Sequence, residues 1–147
     1  MESAASLIKI DNLMIAANCN TVINGFSFNK SNKLIAYAAA NSILILDPYH
    51  IQGNVPKVLF CLRGHQDRVN GLMWLNTNHL VSISSDKSFF VWGYTKDSDP
   101  KDPKNWTYKR VYENAHEQAI NYLTTYSPNE NEYYLLTTCA GGKLRLF

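Results

Sequence analysis

Short runs of apolar residues, several of them alternating with polar residues, recur along the chain. They are rich in β-branched and aromatic side chains, which favour strands over helices. Asn, Gly, Pro and Asp separate one run from the next, as expected for turns between strands. The clearest runs are 34–46, 57–64, 72–75, 89–92, 108–112 and 133–139. Since no long amphipathic helix pattern interrupts them, the sequence predicts an all-β fold, as a sandwich, a barrel or a propeller.

Three of these runs belong to copies of one thirteen-residue pattern. The copies are LIAYAAANSILIL from Leu34, LVSISSDKSFFVW from Leu80 and LLTTCAGGKLRLF from Leu135. They align without a gap, and each has a turn-like centre followed by alternating large apolar residues. A shorter segment that begins with an aliphatic residue and Asn precedes each copy, starting at positions 23, 69 and 120. These features predict a β-hairpin that is repeated three times along the chain.

The middle copy carries polar residues at a characteristic spacing. Gly64 and His65 precede it, and Ser82, Asp86 and Trp92 lie within it. This pattern resembles the WD-repeat family, in which a repeat of about 40–45 residues corresponds to a four-stranded propeller blade. The resemblance implies that His65, Ser82, Asp86 and Trp92 form a hydrogen-bonded structural tetrad. Such a tetrad makes physical sense because a buried imidazole and a buried indole both need polar partners.

The flanking copies keep less of this pattern. In the third copy, His116, Thr137 and Phe147 occupy the positions of the histidine, the Ser/Thr and the tryptophan, while Gly141 replaces the aspartate. In the first copy, Ala40 stands where the gap-free alignment expects the aspartate. We therefore expect degenerate structural positions at both ends of the chain and the most rigid hairpin in the middle.

The resemblance predicts a partial propeller of about two and a half four-stranded antiparallel blades. Residues 19–63 would form the first unit, 64–114 the second and 115–147 an incomplete third. Residues 1–18 would form the strand that closes the last blade of a full ring. Strand edges would then be exposed at both ends, so we expect the isolated chain to self-associate.

Composition and charge mainly exclude functions. The net charge is +2, and the three Lys and three Asp of residues 94–106 cancel, which predicts a solvated loop without a field for nucleic acid. No window of 18 apolar residues and no leader-like N-terminus are present, so we expect neither a membrane span nor a signal peptide. Three widely spaced cysteines, Cys19, Cys61 and Cys139, are expected to be reduced thiols in the cytoplasm and the nucleus.

Catalytic and ligand-binding alternatives find little support. Ser82, His65 and Asp86 could be a hydrolase triad, but no glycine elbow surrounds the serine. None of the four histidines belongs to an HxxxH or HExxH pair. Gly141 and Gly142 lack the spacing and the following helix of a phosphate-binding loop. We therefore expect no enzyme activity, no metal and no cofactor.

Within the WD-repeat family, the chain resembles the N-terminal region of the Elongator subunit 2 family. The matching segments are SILILDP, LRGHQDRVNGLMW and SSDKSFFVW. The resemblance implies a non-catalytic scaffold in the complex that modifies wobble uridines of tRNA. Its partners would be the scaffold subunit and the catalytic subunit of that complex. The alternative is a WD-repeat adaptor of another multiprotein complex, which would bind peptides or signalling proteins.

Overall fold

Eleven β-strands, grouped into three antiparallel sheets, make up the described fold. The computed structural model describes residues 19–52, 55–129 and 132–147, and these ranges contain no α-helix. The strands are β1 (Phe26–Phe28), β2 (Ile35–Ala39), β3 (Ser42–Gln52), β4 (Val55–Arg63), β5 (Val69–Trp74), β6 (His79–Ser84), β7 (Phe89–Gly93), β8 (Thr107–Tyr112), β9 (Ile120–Asn129), β10 (Glu132–Cys139) and β11 (Leu144–Leu146). A short 3-10 turn, Pro103–Asn105, precedes β8. The predicted all-β fold is confirmed.

Each sheet is a meander, in which strands that follow one another in sequence pair side by side. The first runs β1-β2-β3-β4, the second β5-β6-β7-β8 and the third β9-β10-β11. We refer to them as the first, second and third blades. Blades of four, four and three strands agree with the predicted partial propeller. The strand predicted at residues 1–18 lies outside the described residues, and the exact unit boundaries stay a prediction.

Two layers of buried apolar side chains hold the blades together. The layer between the first and second blades includes Leu34, Ala36, Ile43, Ile45, Leu62, Leu72, Leu80, Phe90 and Trp92. The layer between the second and third blades includes Val81, Ile83, Phe89, Ile120, Leu123 and Leu135. Side chains of β6 and β7 enter the two layers alternately, because successive residues of a strand point to opposite faces. Burial of each Leu or Ile side chain in these layers contributes about 1.5–3 kcal/mol to the free energy of folding.

Asparagines near the inner strands join one blade to another. Asn24 lies just before β1, and its backbone pairs with Gly71 of β5 in a parallel bridge. Its side-chain Nδ2 donates to the carbonyl of Leu123 in β9, at 2.9 Å. Asn70 Nδ2 donates in the same way to the carbonyl of Ile120, at 2.8 Å. The aligned asparagines of the first two units therefore both reach the third blade.

The first hairpin departs from the gap-free alignment. In the second blade Leu80 pairs with Trp92, so the alignment predicts that Leu34 pairs with Leu46. Ile35 pairs with Leu46 instead, because the loop between the two strands is one residue shorter in the first blade. A one-residue change of register exchanges the two faces of a strand. The predicted equivalence of residues 34–39 with the second copy is therefore wrong by one position.

The change of register removes the aspartate position from the first blade. Tyr37, opposite Phe26 and Leu44, takes the place that Ser82 holds in the second blade. Ala40 forms the turn with a φ of 51°. The other residue of the shortened loop, Asn41, donates its side-chain N–H to the His65 carbonyl at 3.3 Å and does not replace Asp86.

The loop of residues 94–106 is anchored to the first blade. Tyr94 and Trp106, at its two ends, are buried in the layer between the first and second blades. Lys101 Nζ lies 2.6 Å from Asp47 Oδ2 of β3, whose side chain is almost completely buried. Burial alone would raise the pKa of Asp47, but Lys101 and the Tyr49 N–H lower it. The prediction of a merely solvated loop is wrong at these residues.

The polar segment of residues 127–132 is largely strand. β9 continues to Asn129 and β10 begins at Glu132, so both strands extend into that segment. Polar residues at the tip of a hairpin can remain in strand conformation where both strand faces meet water.

Candidate functional site

Four segments of the second blade bring His65, Ser82, Asp86 and Trp92 together. His65 lies in the connection between β4 and β5, Ser82 in β6, Asp86 in the β6–β7 turn and Trp92 in β7. His65 Nε2 lies 2.8 Å from Ser82 Oγ, and Trp92 Nε1 donates to the same oxygen at 2.8 Å. His65 Nδ1 lies 3.0 Å from Asp86 Oδ2. We call this set the polar brace.

With a neutral imidazole, the protons of the brace have one consistent arrangement. A carboxylate can only accept hydrogen bonds, so His65 Nδ1 carries a proton and donates a hydrogen bond to Asp86. The other ring nitrogen then accepts from the Ser82 hydroxyl, whose oxygen receives the Trp92 N–H. All polar atoms of the imidazole and the indole are thereby satisfied within a buried site, which stiffens the blade.

Asp86 accepts more hydrogen bonds than the sequence predicts. Its carboxylate receives the backbone N–H of Gln66 at 2.8 Å and that of Ser88 at 2.9 Å, together with the Ser88 hydroxyl. Burial alone would raise the pKa of Asp86, but the hydrogen bonds from His65, Ser88 and Gln66 lower it far below its usual value. Sequence analysis missed Ser88, although a turn Asp commonly accepts from the backbone N–H two residues further on.

Gly64 is required by the packing of the brace. The ring of Phe90 stacks on the imidazole of His65, with centroids 4.2 Å apart. A Cβ at position 64 would lie only 2.4 Å from the Phe90 ring. The glycine before the histidine therefore makes room for the aromatic contact on which the imidazole rests.

The geometry argues against hydrolysis by these residues. Ser82 has 0% of its surface exposed, and its oxygen is engaged by both the imidazole and the indole. Ser84, the other serine of the segment, is buried as well and donates to the Asp67 carbonyl at 2.9 Å. A nucleophile must reach its substrate, so neither hydroxyl has the access that a triad needs.

The third blade keeps only half of this arrangement. His116 Nε2 lies 2.7 Å from Thr137 Oγ1, as His65 does from Ser82. Phe147 stands at the tryptophan position, but its ring has no N–H to donate. Gly141 supplies no carboxylate, and among the described residues His116 Nδ1 has no hydrogen-bond partner. Burial, with a smaller effect of Arg145, lowers the pKa of His116.

Two faces of the molecule expose apolar side chains. On the first blade, the face turned away from the second exposes Phe26 (70%) and Phe28 (43%). The third blade has a corresponding face, which we call the outer face of the third blade. Its exposed residues are Tyr122, Tyr126, Tyr134, Leu144 and Leu146. Apolar patches of this kind mark surfaces at which proteins associate.

The potential metal-ligating side chains of the described residues are dispersed. Among residues 19–52, 55–129 and 132–147, no cluster of three His, Cys, Asp or Glu side chains could hold a metal ion. Cys19, Cys61 and Cys139 are free thiols. Within these ranges no helix is long and apolar enough to span a membrane.

Comparison with protein families finds a repeat that includes the whole brace. Residues 56–93 match the family described as WD domain, G-beta repeat. The matched segment contains nearly all of β4, the outer strand of the first blade, together with β5, β6 and β7 of the second. One sequence repeat therefore contributes to two neighbouring blades.

Curated relatives extend the similarity over most of the chain. Elongator complex protein 2 of Drosophila melanogaster is 29% identical over 140 residues, which is 95% of this chain and 16% of the relative. Elongator complex protein 2 of Dictyostelium discoideum is 29% identical over 147 residues, covering 90% of this chain and 15% of the relative. The chain thus spans about one sixth of the length of these relatives. Residues 56–93 thus match a WD repeat, and the chain is similar, over most of its length, to part of Elongator complex protein 2.

Proposed function

We propose that this chain is a non-catalytic scaffold component of an Elongator complex that acts in wobble-uridine modification of tRNA. The observation that carries the proposal is the similarity to Elongator complex protein 2 over 95% of the chain. Its partners are the scaffold subunit and the catalytic subunit of that complex, and it works in the cytoplasm and the nucleus.

The site geometry supports binding rather than chemistry. The hydroxyl and imidazole groups that could act as reagents are buried and hydrogen-bonded to one another. The accessible features are apolar faces, which suit contacts with other proteins. A rigid array of strands that presents such faces is typical of an interaction module.

Co-purification tests the assignment. The protein in its longest native form is tagged in cells of its own source, and bound proteins are identified by mass spectrometry. We expect both Elongator partners to be recovered in stable proportion to the tagged protein. Recovery of a different complex, with neither partner present, would contradict the proposal and favour the adaptor alternative.

The apolar faces also support self-association of the chain on its own. Tyr126 and Tyr134 on the outer face of the third blade stack with centroids 6.4 Å apart, beside exposed Leu146. Removing such side chains from water favours contact between copies. Sedimentation of the chain should show oligomers that the double variant Tyr126→Lys, Leu146→Lys disrupts. Val111→Lys, a change of similar character at another exposed strand position, should leave them intact.

A further inference from the structure

The β10–β11 turn of the third blade lacks one group that its surroundings require. His116 is 1% exposed, and its Nδ1 is a buried polar atom that has no hydrogen-bond partner among the described residues. Buried polar atoms are nearly always paired, so an unpaired one indicates a missing water, ion or ligand group. No other buried side-chain nitrogen or oxygen in the described ranges is in this state.

The second blade shows which group is missing. There the equivalent Nδ1, of His65, lies 3.0 Å from the Asp86 carboxylate and 3.1 Å from Ser88 Oγ. The sequence Asp86-Lys87-Ser88 is replaced by residues 141–143, Gly-Gly-Lys, in the third blade. The third blade thus has neither the carboxylate nor the hydroxyl.

The turn backbone itself is the same in both blades. Lys87 has a φ of 69° and Gly142 a φ of 73°. The N–H of Lys87 donates to the Ser84 carbonyl, and the N–H of Gly142 donates to the Cys139 carbonyl in the same way. Because the main chain keeps its path, the place that a carboxylate would occupy is defined by the protein.

In the third blade, cationic residues stand beside the carboxylate position where the second blade has uncharged residues. Lys143 stands where the second blade has neutral Ser88, and Arg145 stands where it has Phe90. Burial lowers the pKa of His116 most, and Arg145 and then Lys143 lower it further, so both cations act on the ring through space. Glu117 partly balances them, since its Oε1 lies 2.6 Å from Lys143 Nζ. The turn thus carries two cations and one carboxylate around a buried ring nitrogen.

The place is also reachable from solvent. Its counterpart in the second blade, the Asp86 side chain, is 11% exposed. Glu117, Gln118 and Gly141 are all exposed. A Cβ at Gly141 would lie 3.2 Å from the Gln118 side-chain carbon Cδ, so an exposed and flexible amide covers the position. An incoming carboxylate has only to displace that amide or to accept a hydrogen bond from it.

We propose that the β10–β11 turn binds a carboxylate supplied by an Asp or Glu side chain of a protein partner. The carboxylate takes the position of the missing aspartate and accepts hydrogen bonds from His116 Nδ1–H and the backbone N–H of Glu117. His116 Nε2 then accepts from the Thr137 hydroxyl, as in the second blade. The choice of a protein partner rests on the proposed scaffold function, whereas the carboxylate chemistry does not.

The test uses formate as a probe of the site. His116 ring signals are followed by NMR in the chain at constant ionic strength, with sodium formate replacing sodium chloride. We expect saturable shifts of His116 and a rise of its pKa by about one unit, since a bound carboxylate favours the imidazolium. Gly141→Asp should abolish the response by filling the site. Lys143→Ser, which keeps the site but removes a cation, should weaken formate binding several-fold.

A second probe distinguishes the source of the carboxylate. Blocked aspartate, acetylated and amidated at its ends, is compared with blocked asparagine. Binding of the aspartate at least as tightly as formate supports a partner side chain. If formate binds and blocked aspartate does not, the partner is wrong and the site takes free anions. If formate acts no differently from chloride, or if Gly141→Asp still responds, the site itself is disproved. Neither result depends on whether the Elongator partners co-purify.

Discussion

The second and third blades share a hairpin but differ in how its polar residues are satisfied. In both, the hairpin strands pair in the same register and the turn has the same backbone form. In the second blade, Asp86 and Trp92 complete a closed set of hydrogen bonds around one imidazole. In the third blade, that set ends at Thr137, and one ring nitrogen remains open.

This difference separates two contributions to the stability of a blade, namely the hairpin itself and the polar brace. Apolar alternation and a turn residue with positive φ are enough to form the hairpin, because the third blade has both without a complete brace. The brace adds stability and uniqueness to a hairpin that would form in any case. We therefore expect changes to the brace to have large effects in the second blade and small ones in the third.

The largest effect should come from Asp86→Ala. The change removes the acceptor of the Gln66 N–H and leaves His65 Nδ1 with the Ser88 hydroxyl oxygen in place of a carboxylate, and each such loss costs about 1–3 kcal/mol. We expect a loss of about 3 kcal/mol in the free energy of unfolding, measured by urea denaturation. Asp97→Ala, at an exposed loop position, is the matched control and should change stability by less than about 0.5 kcal/mol. Equal losses of stability in the two variants would show that Asp86 contributes no more than an exposed surface aspartate.

Ser82→Ala and Thr137→Val compare the same position in the two blades. Ser82 serves both an imidazole and an indole, whereas Thr137 serves an imidazole alone. We expect costs of about 2 kcal/mol for Ser82→Ala and about 1 kcal/mol for Thr137→Val by urea denaturation. A larger loss for Thr137→Val would show that the third blade depends on its polar residues as much as the second.

Gly141→Asp combined with Lys143→Ser transfers the complete turn from the second blade to the third. The new carboxylate and hydroxyl supply partners for His116 Nδ1, so we expect stability to rise by about 1 kcal/mol. The rise in Tm is measured against Lys143→Ser alone. Since Gly142 keeps the turn backbone, no backbone strain should offset the gain, and the exposed Gln118 side chain can move away from the new Cβ. If the Tm stayed level, the open nitrogen would already be satisfied by water.

Acid should destabilise the third and the second blade at different pH values. Because the pKa of folded His116 is below about 6.5, its value in an unfolded chain, the unfolded chain binds more protons near that pH. Stability is therefore complete above about pH 6.5 and falls as the pH decreases. The pKa of folded Asp86 is below about 3.9, so its contribution is lost only below about pH 4.

Thermal melts as a function of pH measure this smallest and most graded effect. The Tm of the wild type should decline between about pH 7 and pH 5, and His116→Gln should reduce that decline. The pKa of His79 is also lowered, by burial and Lys109, so part of the decline remains in the variant. An identical decline in wild type and variant would show that His116 does not titrate differently in the folded state.

Much of the fold could be predicted because hairpins are local. Alternating apolar residues and turn residues specify β6–β7 and β10–β11 within thirteen residues each. The residues of the brace, His65, Ser82, Asp86 and Trp92, were identified through the resemblance to the WD-repeat family, whose motif they match within one continuous repeat. The resemblance to the WD-repeat family then supplied the hydrogen-bonding role that spacing could not.

The rest depended on packing between distant parts of the chain. The alanine-rich segment 36–40 has no strong pattern to fix its register, so its one-residue change was invisible. The pair formed by Lys101 and Asp47 joins different units, 54 positions apart, and no local pattern indicates that the two residues meet. The missing partner of His116 is visible only once the ring is known to be buried.

The ion pair between Lys101 and Asp47 has a kinetic consequence. Each blade is a meander of neighbouring strands, so its contacts are local and form rapidly. The pair instead closes a long stretch of chain, and it can form only after the first two blades have docked. Contacts absent from the folding transition state act on the unfolding rate. The ion pair of Lys101 is therefore expected to form after the folding transition state. Its loss would shorten the lifetime of the folded chain while hardly slowing its formation.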